Sequence, residues 1–195
     1  MKTHKTRAVF LGLALLLAVP ACGGPKPDSD VLSTRYRTFE MSKKYVGEQT
    51  GSTEMGHVIR YFDDAERAAL EVKVCGGKLC DPHGKLLDPE VNSRPERGGS
   101  FMYAMTGHGI IYGTFDAKLH SVHHSSLLAG EAAACAGDMI VVGGELIEVD
   151  NTSGHYKPPP DALDQVVKQL VEMGADLSQT KVKYFGLPDR APPAP

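Results

Sequence analysis

The strongest constraint on the fold of this chain is the pair Gly143-Gly144, which lies between two strand-like segments at residues 138–142 and 145–149. Two adjacent glycines supply the positive φ angles that a tight two-residue hairpin turn requires. A second hairpin is predicted from residues 101–105 and 110–113, with glycines at the turn. The 21 Gly and 13 Pro among 195 residues likewise favour many turns over a helical bundle.

One amphipathic helix is predicted after the prolines at 158–160. Its apolar residues recur at the spacing of one helical face, and Gly174 supplies the stop; the face consists of Leu163, Val166, Val167, Leu170 and Val171. Asp63 and Glu66 have the spacing of a capping box and predict a brief second helix. The expected fold class is α+β, a single small domain of mainly antiparallel hairpins with the C-terminal helix packed on the sheet.

The first 22 residues have the pattern of a bacterial export signal. Lys2, Lys5 and Arg7 precede an apolar run, and Cys22 follows a small residue, as in a lipobox. This pattern predicts a signal peptide at 1–21 and a lipidated Cys22 carrying diacylglyceryl and palmitate groups. The predicted remainder is a flexible tether at 22–40, a globular domain at 41–188 and a disordered tail at 189–195. We therefore expect a protein anchored by lipid to the membrane of the cell envelope, at the outer membrane.

Charge and cysteine content narrow the expected chemistry. The formal net charge of −3 argues against nucleic acid as a partner. Cys75 and Cys80 flank four residues and predict a disulfide across a hairpin turn, the alternative being two unrelated side chains. Cys135 is expected to be a buried thiol. No cofactor is expected, and no metal, because the nearby His120, His123 and His124 cannot easily meet at one ion.

Two motifs carry a family resemblance. HSSLLAG at 124–130 and SGHY at 153–156, with Pro158, resemble a module in the C-terminal regions of plant IQ-motif calmodulin-binding proteins and of bacterial polymorphic-toxin-like secreted proteins. The similarity covers roughly residues 70–186, with departures at Leu127, Glu131 and Cys135. The basic amphipathic IQ helix of the plant proteins is not recognised in this sequence, so calmodulin binding is not expected.

The same motifs supply the candidate site, which consists of His124, Ser125, Ser126, His155 and Tyr156. Imidazole, hydroxyl and phenol groups serve in acid–base or nucleophilic chemistry and in ligand binding. They also stabilise turns by hydrogen bonding, and that structural alternative stays open. The glycine-turn hairpin between the motifs reverses the chain, which predicts that the motifs lie together.

Two functions follow as hypotheses. The first is a bacterial cell-envelope lipoprotein whose domain binds a partner protein or a small molecule. The second is a toxin-like envelope or secreted enzyme that uses the His/Ser/Tyr site. The sequence contains neither a G-x-S-x-G nor an H-E-x-x-H motif, which disfavours the common hydrolase and metalloprotease classes.

Overall fold

The structure is a computed structural model that describes residues 34–53, 56–89, 99–116 and 121–185. The predicted signal peptide, the lipidation site at Cys22 and the predicted tail at 189–195 lie outside the described residues, as does His120. The helices are α1 (Asp64–Ala69), α2 (His124–Leu127) and α3 (Pro160–Glu172), and two 3-10 turns lie at Lys43–Tyr45 and Glu48–Thr50. The strands are β1 (Lys73–Cys75), β2 (Lys78–Cys80), β3 (Phe101–Met105), β4 (Ile111–Thr114), β5 (Cys135–Val142), β6 (Glu145–Asp150) and β7 (Lys181–Lys183).

The central sheet contains five strands in the order β4-β3-β5-β6-β7. All pairs are antiparallel except β6 and β7, which are parallel because α3 connects them as a crossover helix. Gly143 and Gly144 form the β5–β6 turn with φ angles of 54° and 80°. The α+β prediction is therefore confirmed, and the parallel strand at one edge is a feature that the sequence pattern did not predict.

Helix α3 covers one face of the sheet. Pro160 occupies its first turn, where the missing N–H costs nothing, and Gly174 follows its end with a φ angle of 87°. The helix packs its apolar face against the strands, and its buried residues are Ala162, Leu163, Val166, Val167 and Leu170. Val171, the last residue of the predicted face, is instead 40% exposed. The predicted helix and its packing are thus confirmed apart from this position.

The opposite face of the sheet carries α2 and the segment before α1. Strand β3 is buried on both sides: Tyr103 and Met105 contact the α3 side, whereas Met102 and Ala104 belong to the cluster that includes α2. This alternation is the two-residue period of a strand. Each face therefore has its own apolar cluster, and the one around α2 also positions the candidate site.

The N-terminal boundary of the folded domain differs from the predicted tether at 22–40. Tyr36 is buried and its backbone N–H donates to the Gly107 carbonyl at 2.9 Å. Phe39 pairs with Ala133 through hydrogen bonds of 2.8 and 3.0 Å. Residues 36–39 lack strong strand periodicity, so only their pairing partners, distant in sequence, reveal that they belong to the domain.

The β1–β2 hairpin carries a disulfide between Cys75 and Cys80, whose Cα atoms are 6.0 Å apart. Gly76 and Gly77 form the turn at φ angles of 59° and 84°, and Cys75 pairs in register with Lys78. The turn therefore contains two residues and not the four expected, because adjacent glycines allow the tighter hairpin.

None of the helices in the described part of the chain has the length and apolar character needed to cross a membrane.

Candidate functional site

The first motif forms α2 and its ending. All four residues of this short helix, His124 to Leu127, are buried. The chain leaves the helix through Ala129 and Gly130, at φ angles of 51° and 81°, and the Gly130 N–H donates to the Ser125 carbonyl at 2.9 Å. Such left-handed residues end a helix abruptly and favour glycine. The HSSLLAG sequence therefore encodes one buried helical turn with a tight exit.

Two of the predicted site residues stabilise this local structure. The Ser126 hydroxyl accepts from the His123 backbone N–H at 3.0 Å, at the start of α2. The His124 Nε2 atom lies 3.1 Å from the carbonyl oxygen of Gly137 in β5. Ser126 and His124 thus tie the helix to itself and to the sheet, which is the structural alternative that the sequence left open.

The second motif forms a turn between β6 and α3. The Lys157 N–H donates to the Ser153 carbonyl at 2.9 Å, and Lys157 itself has a φ angle of 45°. The Tyr156 hydroxyl donates to the Glu131 carbonyl at 2.7 Å. Burial raises the pKa of the Tyr156 phenol, and the neighbouring Tyr61 and Glu48 raise it further. Tyr156 is therefore a neutral hydrogen-bond donor that connects the second motif to the chain after the first.

The two motifs meet at a residue outside both of them. Glu48, in the second 3-10 turn, is 2% exposed. Its Oε1 atom accepts a hydrogen bond from the Ser125 hydroxyl and another, at 3.3 Å, from the Tyr61 hydroxyl. Its Oε2 atom lies 2.9 Å from Nε2 of His155. One carboxylate therefore binds α2, the SGHY turn and the chain before α1 together.

Aromatic rings enclose this carboxylate. The rings of Tyr45 and His155 stack with their centroids 3.9 Å apart, and the His123 ring meets His155 edge-on at 4.6 Å. Tyr61 packs directly over Gly130, where a Cβ atom would come within 2.8 Å of the phenol. Gly130 is thus required by the close approach of Tyr61 as well as by its own backbone angle.

The electrostatics favour an ionised Glu48. Burial opposes ionisation, but hydrogen bonds from His155 and Ser125 and the nearby imidazoles of His155 and His123 bring the pKa of Glu48 below its ordinary value. The same carboxylate acts on Tyr61, since burial and then the proximity of Glu48 raise the pKa of that phenol to about 12. The centre of the site is therefore a buried carboxylate held by hydroxyl and imidazole groups.

This arrangement differs from a catalytic triad. In a triad the histidine contacts the serine hydroxyl and a carboxylate orients the far side of the imidazole. Here the carboxylate of Glu48 lies between Ser125 and His155, and Ser125 is fully buried. The serine proton is therefore directed at the carboxylate of Glu48, which His155 also contacts, and not at the imidazole as in a triad. In the described residues, no three His, Cys, Asp or Glu side chains form a metal-binding group.

The structure thus brings together Ser125 and His155 from the predicted set, through an intermediary. Glu48, Tyr45 and Tyr61 are the functional neighbours that sequence reasoning missed. Glu48 occurs in a polar stretch of the sequence and belongs to no motif. Glu48 and His155 are 107 residues apart in the sequence, and only folding brings them into contact.

Residues 66–163 match the family model described as IQ motif-containing protein middle domain. The chain belongs to this family. The resemblance to plant IQ-motif proteins that the HSSLLAG and SGHY motifs carry is therefore confirmed, and both motifs lie within the matched range.

The individual relatives are plant proteins. The IQ domain-containing protein IQM3 of Arabidopsis thaliana is 34% identical over 125 residues, which are 64% of this chain and 26% of the relative. IQM1 of the same plant is 33% identical over 123 residues, or 63% of this chain and 24% of the relative. The matched region of this middle-domain protein thus spans about a quarter of each relative. No solved structure matches the chain.

These findings correct several expectations. The prediction of a bacterial cell-envelope lipoprotein at the outer membrane is wrong, as is its alternative of a toxin-like enzyme, because the relatives are plant IQ domain-containing proteins. The prediction rested on a short basic and apolar pattern, which occurs in several kinds of segment. The family match, by contrast, covers residues 66–163, which are half of the chain.

The expectation that calmodulin is not a partner is corrected by the same relatives, which are named for their IQ domain. That expectation rested on the lack of a recognisable basic amphipathic helix in one sequence. A missing pattern is weak evidence, because a partner surface can be assembled from residues distant in sequence.

Proposed function

We propose that this chain is a non-catalytic binding module of a calmodulin-linked protein. The observation that carries the proposal is membership of the middle domain family, whose plant relatives are IQ domain-containing proteins. The motifs that define the resemblance, HSSLLAG and SGHY, lie inside the matched range. The proposed partner is therefore calmodulin, acting on a folded module and not on an isolated helix.

The geometry of the candidate site supports a binding role over a catalytic one. Ser125 and His155 both bond to the buried carboxylate of Glu48, so neither is poised against a substrate. Removing one partner from such a buried charged group leaves the others unsatisfied and costs stability. In this proposal the two motifs serve to hold the loop that contains Glu48 against the domain.

That loop offers a surface suited to calmodulin. Lys43 and Lys44 are exposed, and the Lys44 ammonium lies 4.6 Å from the ring centroid of Tyr45. Val46 and Val58 are 63% and 62% exposed. Calmodulin targets combine basic and apolar side chains, which meet its acidic rim and its methionine-rich groove. The combination of two lysines and two exposed valines therefore fits this partner.

Calorimetry of the full chain with purified calmodulin, in calcium and in a calcium chelator, tests the proposal. We expect saturable binding, and we expect the double change Lys43→Glu and Lys44→Glu to weaken it roughly tenfold through charge repulsion. Lys168→Glu, on the exposed side of α3, is the matched control and should leave binding unchanged. Absence of binding in both conditions would overturn the proposed partner.

A further inference from the structure

Residues 43–53 and 56–58 lie in a loop that closes over the buried carboxylate of Glu48. Its two ends are tied to the body of the domain: the Ser42 N–H donates to the His155 carbonyl at 2.8 Å, and the Arg60 N–H donates to the Ser121 carbonyl at 2.8 Å. Between these ties, the buried residues that the structure describes are Glu48 and, next to the second tie, Ile59, whose backbone N–H donates to the Glu48 carbonyl at 3.0 Å. We call the described residues 43–53 and 56–58 the lid loop.

The way in which the lid loop is held is unusual for a surface loop. Loops of this length are ordinarily packed down by their own apolar side chains. Here Val46 and Val58 face the solvent, and the buried contact in the middle of the loop is made by the Glu48 carboxylate. Tyr45 adds a ring stacked on His155 but remains partly exposed. Apart from Ile59 at its C-terminal end, the loop is therefore attached by a carboxylate inserted among hydrogen-bond donors.

Those donors belong to the body of the domain and converge on one point. They are the hydroxyl of Ser125 in α2, the imidazole of His155 in the SGHY turn and, at 3.3 Å, the hydroxyl of Tyr61 after the lid loop. Three donors around two carboxylate oxygens resemble the way proteins bind an oxyanion ligand. A site with this donor set would exist whether or not the occupying carboxylate came from the chain itself.

We propose that Ser125, His155 and Tyr61 form an oxyanion-binding site that Glu48 occupies as an internal ligand. When the lid loop lifts, a carboxylate or phosphate group of an external ligand takes the place of the Glu48 carboxylate. The His123 ring, 4.6 Å from the His155 ring, remains in the body of the domain as one wall of the opened site. The Tyr45 ring leaves with the loop and uncovers the other face of His155.

An external ligand must compete with the Glu48 carboxylate, which already occupies the site. A group tethered by a short loop competes at an effective concentration in the millimolar range or above. Small anions therefore displace Glu48 poorly from the unaltered chain. A ligand that makes further contacts with the uncovered surface competes better, and deletion of the carboxylate exposes the site to small anions as well.

The test is a chemical rescue of the full chain carrying Glu48→Ala. Sodium acetate and inorganic phosphate are titrated separately, with sodium chloride at matched ionic strength, and both the melting temperature and the imidazole NMR signals of His155 are followed. We expect saturable stabilisation and a shift of the His155 signals in this variant, and a much smaller response in the unaltered chain. The acetate and phosphate arms distinguish a carboxylate ligand from a phosphate ligand.

Two further variants separate a specific site from a general salt effect. Adding Ser125→Ala to Glu48→Ala should weaken anion binding roughly tenfold, as expected for one lost hydrogen bond to a charged group. Glu40→Ala removes an exposed carboxylate and should respond as the unaltered chain does.

A folded Glu48→Ala variant that responds to anions no more than the unaltered chain would overturn the proposal. If that variant does not fold, hydrogen exchange of the Thr50 and Gly51 amides is measured at high phosphate in the Glu48→Gln variant, whose neutral side chain holds the site less tightly than the carboxylate does. Faster exchange there than in matched chloride supports displacement of the loop, and equal exchange refutes it. Calmodulin takes no part in these measurements, so their outcome is independent of the proposed function.

Discussion

Replacing Glu48 by Gln tests whether the buried carboxylate stabilises the domain through its charge. Glutamine keeps the shape of the side chain, but the hydrogen bonds from Ser125 and His155 lose their ionic component. Hydrogen bonds to charged groups contribute about 1.5–3 kcal/mol and neutral ones about 0.5–1.5 kcal/mol. Two such bonds therefore predict a loss of about 2–3 kcal/mol in the free energy of unfolding at neutral pH.

The stabilisation by the Glu48 carboxylate should depend on pH in a definite direction. Because the pKa of Glu48 is lowered in the folded state, its stabilisation is fully present above the pKa of the unfolded chain. It is lost as the pH falls through the lower pKa of the folded state, where the carboxylate takes up a proton. We therefore expect the unaltered chain to lose stability in acid by more than the Glu48→Gln variant does.

Urea unfolding followed by circular dichroism, at neutral and at acidic pH, measures both quantities. Hydrogen exchange at residues 43–53 shows whether the loss is confined to the lid loop or spreads to the sheet. Glu40→Gln, at an exposed glutamate, is the control and should change neither value. Equal stability of the Glu48→Gln variant and the unaltered chain at neutral pH, with the same decline in acid, would refute this reasoning.

Three further measurements address other parts of the structure. Gly137→Ala should lower the free energy of unfolding, measured in urea, by about 3 kcal/mol or more, because the added Cβ atom would lie 2.1 Å from the backbone oxygen of Asp150. A loss below about 1 kcal/mol would contradict this close approach. In an ultraviolet titration Tyr61 should ionise near pH 12, and at lower pH once Glu48 is replaced by Gln; an unshifted titration would exclude their contact. Cys135, whose thiol pKa burial raises to about 12, should resist labelling at pH 8 until the chain unfolds, and rapid labelling would disprove its burial.

Several elements could be predicted from the sequence because their signals are local. The Gly143-Gly144 turn requires positive φ angles at two adjacent positions, and glycine meets that requirement wherever it occurs. Helix α3 follows from an apolar period of 3.6 residues between a proline start and a glycine end. The family could also be recognised from the sequence, because the HSSLLAG motif and the SGHY motif are each an unbroken run of residues.

Only part of the candidate site could be predicted from the sequence. Ser125 and His155 belong to motifs, and the hairpin between them predicted that they would lie near each other. Ser126, His124 and Tyr156 share those motifs but bond to backbone groups in separate directions. Which hydroxyl or imidazole points into a common centre depends on the turn geometry that each backbone adopts, and residue type alone does not specify that geometry.

Tertiary structure alone decided the role of Glu48. Its neighbours in sequence are polar and its segment forms only a 3-10 turn, so local pattern predicts an exposed residue. Folding brings it against Ser125 and His155, which are 77 and 107 residues away. A carboxylate can be buried only where donors compensate its lost hydration, and these donors are assembled by the packing of α2 and the SGHY turn against the lid loop. Burial of this charge is therefore a property of the assembled domain and not of any segment of its sequence.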